Sequence, residues 1–156
     1  MLDITDELKA LVNELSRLQI EYALCGGLAM GVYGRMRATV DIDLLILSES
    51  LADVIEIARS QGYSILGKEV SFANGAIEIR RVSKIDRSAG DLISLDLLLV
   101  TPEIQRVWDT RQEGKWEGGK LSVVTREGLI RLKKLRSSNQ DLADIEQLEG
   151  DLNEED

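Results

Sequence analysis

The sequence predicts a mixed α/β fold, one β-sheet flanked by helices, and three observations predict it. Helical and strand-like apolar spacings alternate through the first half of the chain, and several strand-like runs then follow one another. Glycines, the Asn74-Gly75 pair and Pro102 fall between the periodic stretches and punctuate them. At 156 residues, 44% apolar and 30% charged, the chain has the size and balance of a single globular domain with a buried core. That domain is expected over residues 1–148, with 149–156 as an acidic tail.

The elements follow in order. Leu8, Leu11, Val12, Leu15 and Leu18 recur at helical spacing over residues 4–18, with Asp3 or Thr5 as the cap and Glu7 in the first turn. Tyr22-Ala23-Leu24-Cys25 is a short apolar strand ending at Gly26-Gly27. Residues 28–33 read as a short helix closed by Gly34; Gly31 inside it costs about 1 kcal/mol relative to Ala, which predicts a close backbone contact there. Residues 41–47 form a strand, 50–61 an amphipathic helix stopped by Gly62, and 63–66 another strand. Asn74-Gly75 marks a hairpin turn inside the strand-like stretch 70–82. Residues 92–100 form a strand, and Thr101-Pro102 opens a short helix. Residues 114–119 read as a turn and 121–124 as a strand; Thr125 caps a helix over 126–136, and a last helix covers 141–148.

Composition narrows the chemistry. The chain has no histidine, which removes imidazole as base, acid or metal ligand, and with it the Ser-His-Asp triad and most zinc hydrolase designs. Carboxylates, Lys, Arg, hydroxyls and hard cations remain. With 28 acidic and 19 basic residues the net charge is −9; the tail holds five of the acids and no base, leaving 23 against 19, or −4, for the rest. A chain this acidic is a poor sequence-independent binder of DNA or RNA, which needs surplus Lys and Arg. No apolar run approaches the length that crosses a bilayer and no secretory signal opens the chain, so a cytoplasmic protein without a membrane partner is expected. The lone Cys25 cannot form an internal disulfide, in keeping with a reducing compartment, and on its strand it reads as a small core residue.

The sharpest feature is Asp41-Ile-Asp43. Alternate strand residues face one side, so the two carboxylates project together with Cβ atoms roughly 7 Å apart, while Ile42 points into the core. Two like charges on one face of an apolar strand call for a cation, and oxygen ligands suit Mg²⁺ or Mn²⁺. Asp96 is the one acid inside the apolar run Leu92-Ile-Ser-Leu-Asp-Leu-Leu-Leu-Val100, so it serves a purpose or lies at a sheet edge. If its strand pairs beside 41–47, three carboxylates meet at one point. That arrangement suits two metals about 3.5–4 Å apart on a phosphoryl group, with Asp96 also helping to deprotonate an attacking hydroxyl. An isolated Asp-x-Asp is most often a loop or edge feature; the segment before this one changes the balance. Gly26-Gly27 stands between strand and helix, where backbone can approach a ligand and exposed N–H groups favour phosphate oxygens.

Taken together, Cys25-Gly-Gly-Leu-Ala-Met-Gly-Val-Tyr-Gly-Arg-Met-Arg-Ala-Thr-Val-Asp-Ile-Asp-Leu44 resembles the signature of the nucleotidyltransferase superfamily with a DNA-polymerase-β-like fold, and is most similar to its minimal prokaryotic branch that includes the AbiEii-type abortive-infection toxins. Leu129-Ile-Arg-Leu-Lys133 followed by Asp141-Leu-Ala-Asp-Ile145 resembles that family's closing helices, so the likeness spans about residues 20–148. The resemblance implies transfer of a nucleoside monophosphate from a nucleoside triphosphate to a hydroxyl. Asp41, Asp43 and Asp96 would be the catalytic metal ligands. Gly26, Gly27, Arg37, Thr39, Lys133 and Asp141 would bind nucleotide or substrate, and Asp144 would orient the last helix. It also implies an NTP partner, an acceptor among small molecules, proteins or RNA ends, and an antitoxin-like protein partner. The chain departs from the pattern in having Gly27 where Ser is common, and Ser137, Ser138 and Asn139 where Arg is often found near the closing motif.

By the residues alone, Arg35 and Arg37 are equally readable as solvated charges, and of the adjacent Lys133 and Lys134 only one can face the site. Trp108, Trp116 and Tyr33 read as core or rim, Tyr33 being close enough in sequence to the site to stay in view. The main alternative is a weakly active or inactive chain of the same fold that works by binding a partner. A carboxylate-metal phosphohydrolase fits less well, having no comparable need of a glycine turn before Asp-x-Asp.

Overall fold

Asp3 caps the first helix, α1 (Ile4–Arg17), its carboxylate accepting from the backbone N–H groups of Thr5 and Asp6. The structure is a computed structural model that describes residues 2–32, 41–116, 119–136 and 144–150. Strand β1 (Ala23–Cys25) runs directly into α2 (Gly26–Val32), followed by β2 (Asp41–Ile46), α3 (Leu51–Ser60) and the short strands β3 (Ile65–Leu66) and β4 (Val70–Phe72). Then come β5 (Ile77–Asp86), β6 (Asp91–Leu99), α4 (Gln105–Asp109), β7 (Gln112–Trp116), β8 (Gly119–Val123) and α5 (Arg126–Arg136); residues 144–150 are helical.

The strands form one mixed sheet in the order β3-β5-β6-β2-β1-β8-β7, with β4 also paired to β5. β2 runs parallel to β6 and β1 parallel to β8, while the other pairings are antiparallel. This is the mixed α/β fold that the alternating patterns predict. β2 and β6 lie in the middle, and their near-continuous apolar sequences reflect burial on both faces. Leu8, Leu11, Val12 and Leu15 of α1 form the apolar stripe that closes one face, and Leu129, Ile130 and Leu132 of α5 join the same core. Among the described residues, no helix is long and apolar enough to cross a membrane.

Four local expectations are corrected. The helix expected at 28–33 begins at Gly26, so both glycines belong to its first turn. Among the described residues, nothing lies within 4 Å of a Cβ added at Gly31, so none of them makes the close contact expected there. The strand expected over 63–66 is confined to Ile65–Leu66, because the Tyr63 side chain turns into the core and reaches Glu7 of α1. Gly114, read as part of a turn, lies inside β7: a Cβ there would stand 2.8 Å from Val123 Cγ1 and 3.1 Å from Val32 Cγ1, closer than packing allows. The Asn74-Gly75 hairpin is present, with Asn74 in the left-handed region (φ 55°) and Phe72 paired to Ile77. Of the helix expected over 141–148, residues 141–143 lie outside the described residues.

Candidate active site

The parallel register of β2 on β6 sets Asp43 directly beside Asp96 and Asp41 beside Ser94. On the other flank of β6, antiparallel β5 sets Arg81 opposite Asp96 and Ser83 opposite Ser94. Residues paired across strands share a face, so three central strands of the sheet build one polar strip: Asp41, Asp43, Ser94, Asp96, Ser83 and Arg81. The strand pairing that brings the carboxylate of Asp96 to the Asp41–Asp43 face is therefore present. β6 is central, not an edge.

Within the strip the charges are unequal. Arg81 grips Asp96 as a fork: its Nε donates to Oδ1 at 2.6 Å and its Nη2 to Oδ2 at 2.8 Å. The same Nη2 lies 3.8 Å from Asp41 Oδ2. The hydroxyls of Ser83 and Ser94 meet at 2.9 Å, one donating to the other. Asp43 is only 7% exposed, and no donor among the described residues reaches its carboxylate. Burial, then the neighbouring Asp96 charge, push its pKa up to about 7; Asp41 adds to the rise, while Arg136 and Lys133 oppose it.

Gly26 explains how the turn serves the site. It has φ +69°, and a Cβ there would lie 2.2 Å from Asp43 Oδ2. The backbone at the start of α2 thus rests on the Asp43 carboxylate, and only glycine permits both the conformation and the approach. Gly27 is buried in the same turn. Cys25, Gly26, Asp43, Leu98, Lys133 and Arg136 enclose a narrow crevice behind the carboxylate. The Cys25 thiol is buried, with Sγ 3.6 Å from the backbone oxygen of Asp43, and burial pushes its pKa well up. Trp108 is core and Trp116 packs against it.

Of the two adjacent lysines, Lys133 faces inward. Its Nζ donates to Asp144 Oδ2 at 2.8 Å with both side chains buried, tying α5 to the helical residues 144–150. Lys134 points outward, 3.1 Å from Glu149. Arg37, Thr39 and Asp141, with Arg35 and Tyr33, lie outside the described residues. Arg81, Ser83 and Ser94 are the site-face residues that sequence reasoning missed. Their spacing in pairs two apart, Arg81 with Ser83 and Ser94 with Asp96, is the signal that could have found them.

The donor set suits a hard divalent ion at Asp41 and Asp43, since Asp43 is a buried carboxylate lacking a donor among the described residues. Asp96 is committed to Arg81. Among the described residues, no group of three or more His, Cys, Asp or Glu side chains is arranged to hold a metal ion.

No family model matches the chain, and no curated protein matches it by sequence. Solved structures do. The lincosamide antibiotic adenylyltransferase LnuA, in its lincomycin-bound form, superposes with a TM-score of 0.63 at 18% identity, covering 92% of this chain and 95% of that one. ANT(2″)-Ia in complex with adenylyl-2″-tobramycin gives 0.66 at 15% identity over 94% and 88%. The solution structure of ANT(2″)-Ia gives 0.68 at 15% over 97% and 86%. The chain has the nucleotidyltransferase fold.

Proposed function

We propose that this chain is a nucleotidyltransferase that moves a nucleoside monophosphate from a nucleoside triphosphate to a hydroxyl, with Mg²⁺ or Mn²⁺ held by Asp41 and Asp43. The observation that carries the reading is the register of Asp41, Asp43 and Asp96 on one face, under the Gly26 backbone, in a chain with this fold. The bound ion would supply charge neutralisation for the phosphates. The chain's own groups bind and orient. Gly26 and Gly27 bring backbone against the triphosphate; Arg37, Thr39, Lys133 and Asp141 are proposed as its further contacts. The acceptor oxygen bonds to the α-phosphorus, the bond to the β-phosphate oxygen breaks, and pyrophosphate leaves. Asp96, freed from Arg81, takes the acceptor's proton. Most of the rate gain would come from positioning and preorganised charge.

A small hydroxylated acceptor has the best support. LnuA binds lincomycin and ANT(2″)-Ia carries an adenylylated tobramycin, and the surface charge of this chain opposes an RNA acceptor. A toxin or phage-defence role, with an antitoxin-like partner, has the support of the sequence resemblance alone. A cytoplasmic setting belongs with the proposal. One observation favours a second reading, a weakly active partner-binding chain: Arg81 occupies Asp96 and approaches Asp41, as a substitute cation in a silent site would.

Titration of ATP, GTP, CTP and UTP against the protein with Mg²⁺ or Mn²⁺ should show metal-dependent binding that Asp41→Ala and Asp43→Ala abolish. Binding that survives both changes removes the site assignment. Labelled NTPs added with a cell lysate should mark a small molecule; label on nothing, despite metal-dependent binding, selects the second reading.

A further inference from the structure

Asp96 and Asp41 are not held apart by sheet geometry alone. One nitrogen, Arg81 Nη2, lies between them, 2.8 Å from an Asp96 oxygen and 3.8 Å from an Asp41 oxygen. A single cationic atom within reach of two carboxylates from neighbouring strands supplies the positive charge that a divalent ion would otherwise supply there. The exposures of the partners differ. The Arg81 side chain is 46% exposed and can swing outward, whereas that of Asp96 is 8% exposed and fixed in the central strand. Ser83 and Ser94, the neighbours along the strip, bond to each other and carry no charge that could replace the guanidinium.

We propose that Arg81 is a positioning residue that acts as a displaceable counter-cation, holding Asp96 in the metal-free chain and yielding it only when a second divalent ion arrives. The inference rests on the metal site proposed above and adds a limit to it. The free chain takes a single ion at Asp41 and Asp43, because a second must evict a bidentate guanidinium from Asp96. Removing the guanidinium leaves three carboxylates with one cation fewer, which favours a doubly charged ion through Coulomb attraction in a partly buried site.

The test counts Mn²⁺ bound to the nucleotide-free protein by electron paramagnetic resonance, in the wild type, Arg81→Gln and Arg81→Lys. Arg81→Gln should gain a second ion, with tightening of about tenfold or more. Arg81→Lys should fall between, because an ammonium keeps the charge but cannot fork both Asp96 oxygens. It also carries the test should Arg81→Gln fail to fold. Unchanged or weaker binding in both variants, with the wild type still losing its ion on Asp43→Ala, overturns the role of Arg81 and leaves the nucleotidyltransferase reading standing. If wild type and variants alike bind no Mn²⁺, with or without ATP, the metal site itself is wrong.

Discussion

Strand β5 carries a cation on each face of the sheet, and the two are set in opposite electrostatic surroundings. Lys84 faces α1, where its Nζ lies 2.7 Å from Glu7 Oε1. The Tyr63 hydroxyl donates to the other Glu7 oxygen at 3.2 Å, and the ammonium stands 5.8 Å from the Tyr63 ring centre. One acid is matched by one base and one hydroxyl. Burial, followed by the Glu7 charge, pushes the Tyr63 phenol up, which keeps it a neutral donor. Three residues earlier, on the opposite face, Arg81 stands among Asp96, Asp41 and Asp43. Matched clusters fasten elements together; a buried carboxylate with no donor among the described residues, as Asp43 is, costs stability and persists where something else is meant to bind. The difference can be tested by breaking members of each kind.

The largest effect should come from the most deeply buried matched pair, Lys133 with Asp144. Lys133→Met leaves the Asp144 carboxylate buried without its ammonium, and urea denaturation should show a loss of about 3–5 kcal/mol. Lys133→Met with Asp144→Leu should recover most of it. A loss below about 1 kcal/mol in the single variant would mean that the pair is no fastener, and would move Lys133 to the unmatched class.

On the unmatched side the sign reverses. The folded pKa of Asp43, about 7, stands above the ordinary 3.8. Between those values the unfolded chain gives up the proton while the folded chain retains it, so ionisation of Asp43 progressively destabilises the fold as pH rises through this window. Above about 7 the penalty is complete. Metal-free Asp43→Asn should therefore be more stable than wild type at pH 8, by roughly 2–4 kcal/mol, with the advantage shrinking towards pH 4. Thermal or urea denaturation at several pH values checks this, and added Mg²⁺ should narrow the gap by stabilising only the wild type. An Asn variant less stable than wild type at pH 8 would show that Asp43 is matched after all.

The same contrast marks what could be read from the sequence. Asp41, Asp43 and the Gly26-Gly27 turn are close in sequence, so strand alternation and turn chemistry were enough to place them on one side. Lone Asp96 was conspicuous in its apolar run, and its join to β2 needed only the correct strand neighbour. The spacing of Arg81 with Ser83 hinted at a polar face, but the meeting of Arg81 with Asp96 could not be read, because it depends on the register of a long hairpin across residues 87–90, for which the pattern gives no local cue. Lys133 could not be told from Lys134 without the position of Asp144, a contact between two helices. Gly114 misled because glycine signals turns locally, while here it makes room for Val32 and Val123 from other elements.

The smallest effect expected is that of Lys84→Met, and it tests the contrast most directly. The methionine keeps the apolar stem that lies along Gly62, where the Lys84 Cε stands 3.2 Å from a Cβ position, and loses only the charge. Glu7 retains the Tyr63 hydroxyl and partial exposure, so the loss should be about 1 kcal/mol. Lys84→Met and Arg81→Gln each remove one positive charge from the same strand, with the sheet between the two sites. If the faces are electrically independent, Lys84→Met leaves Mn²⁺ binding at its wild-type level while Arg81→Gln tightens it. Equal tightening in both would mean that Mn²⁺ responds to the net charge of the chain, and the distinction between a fastening face and a binding face would fall with it.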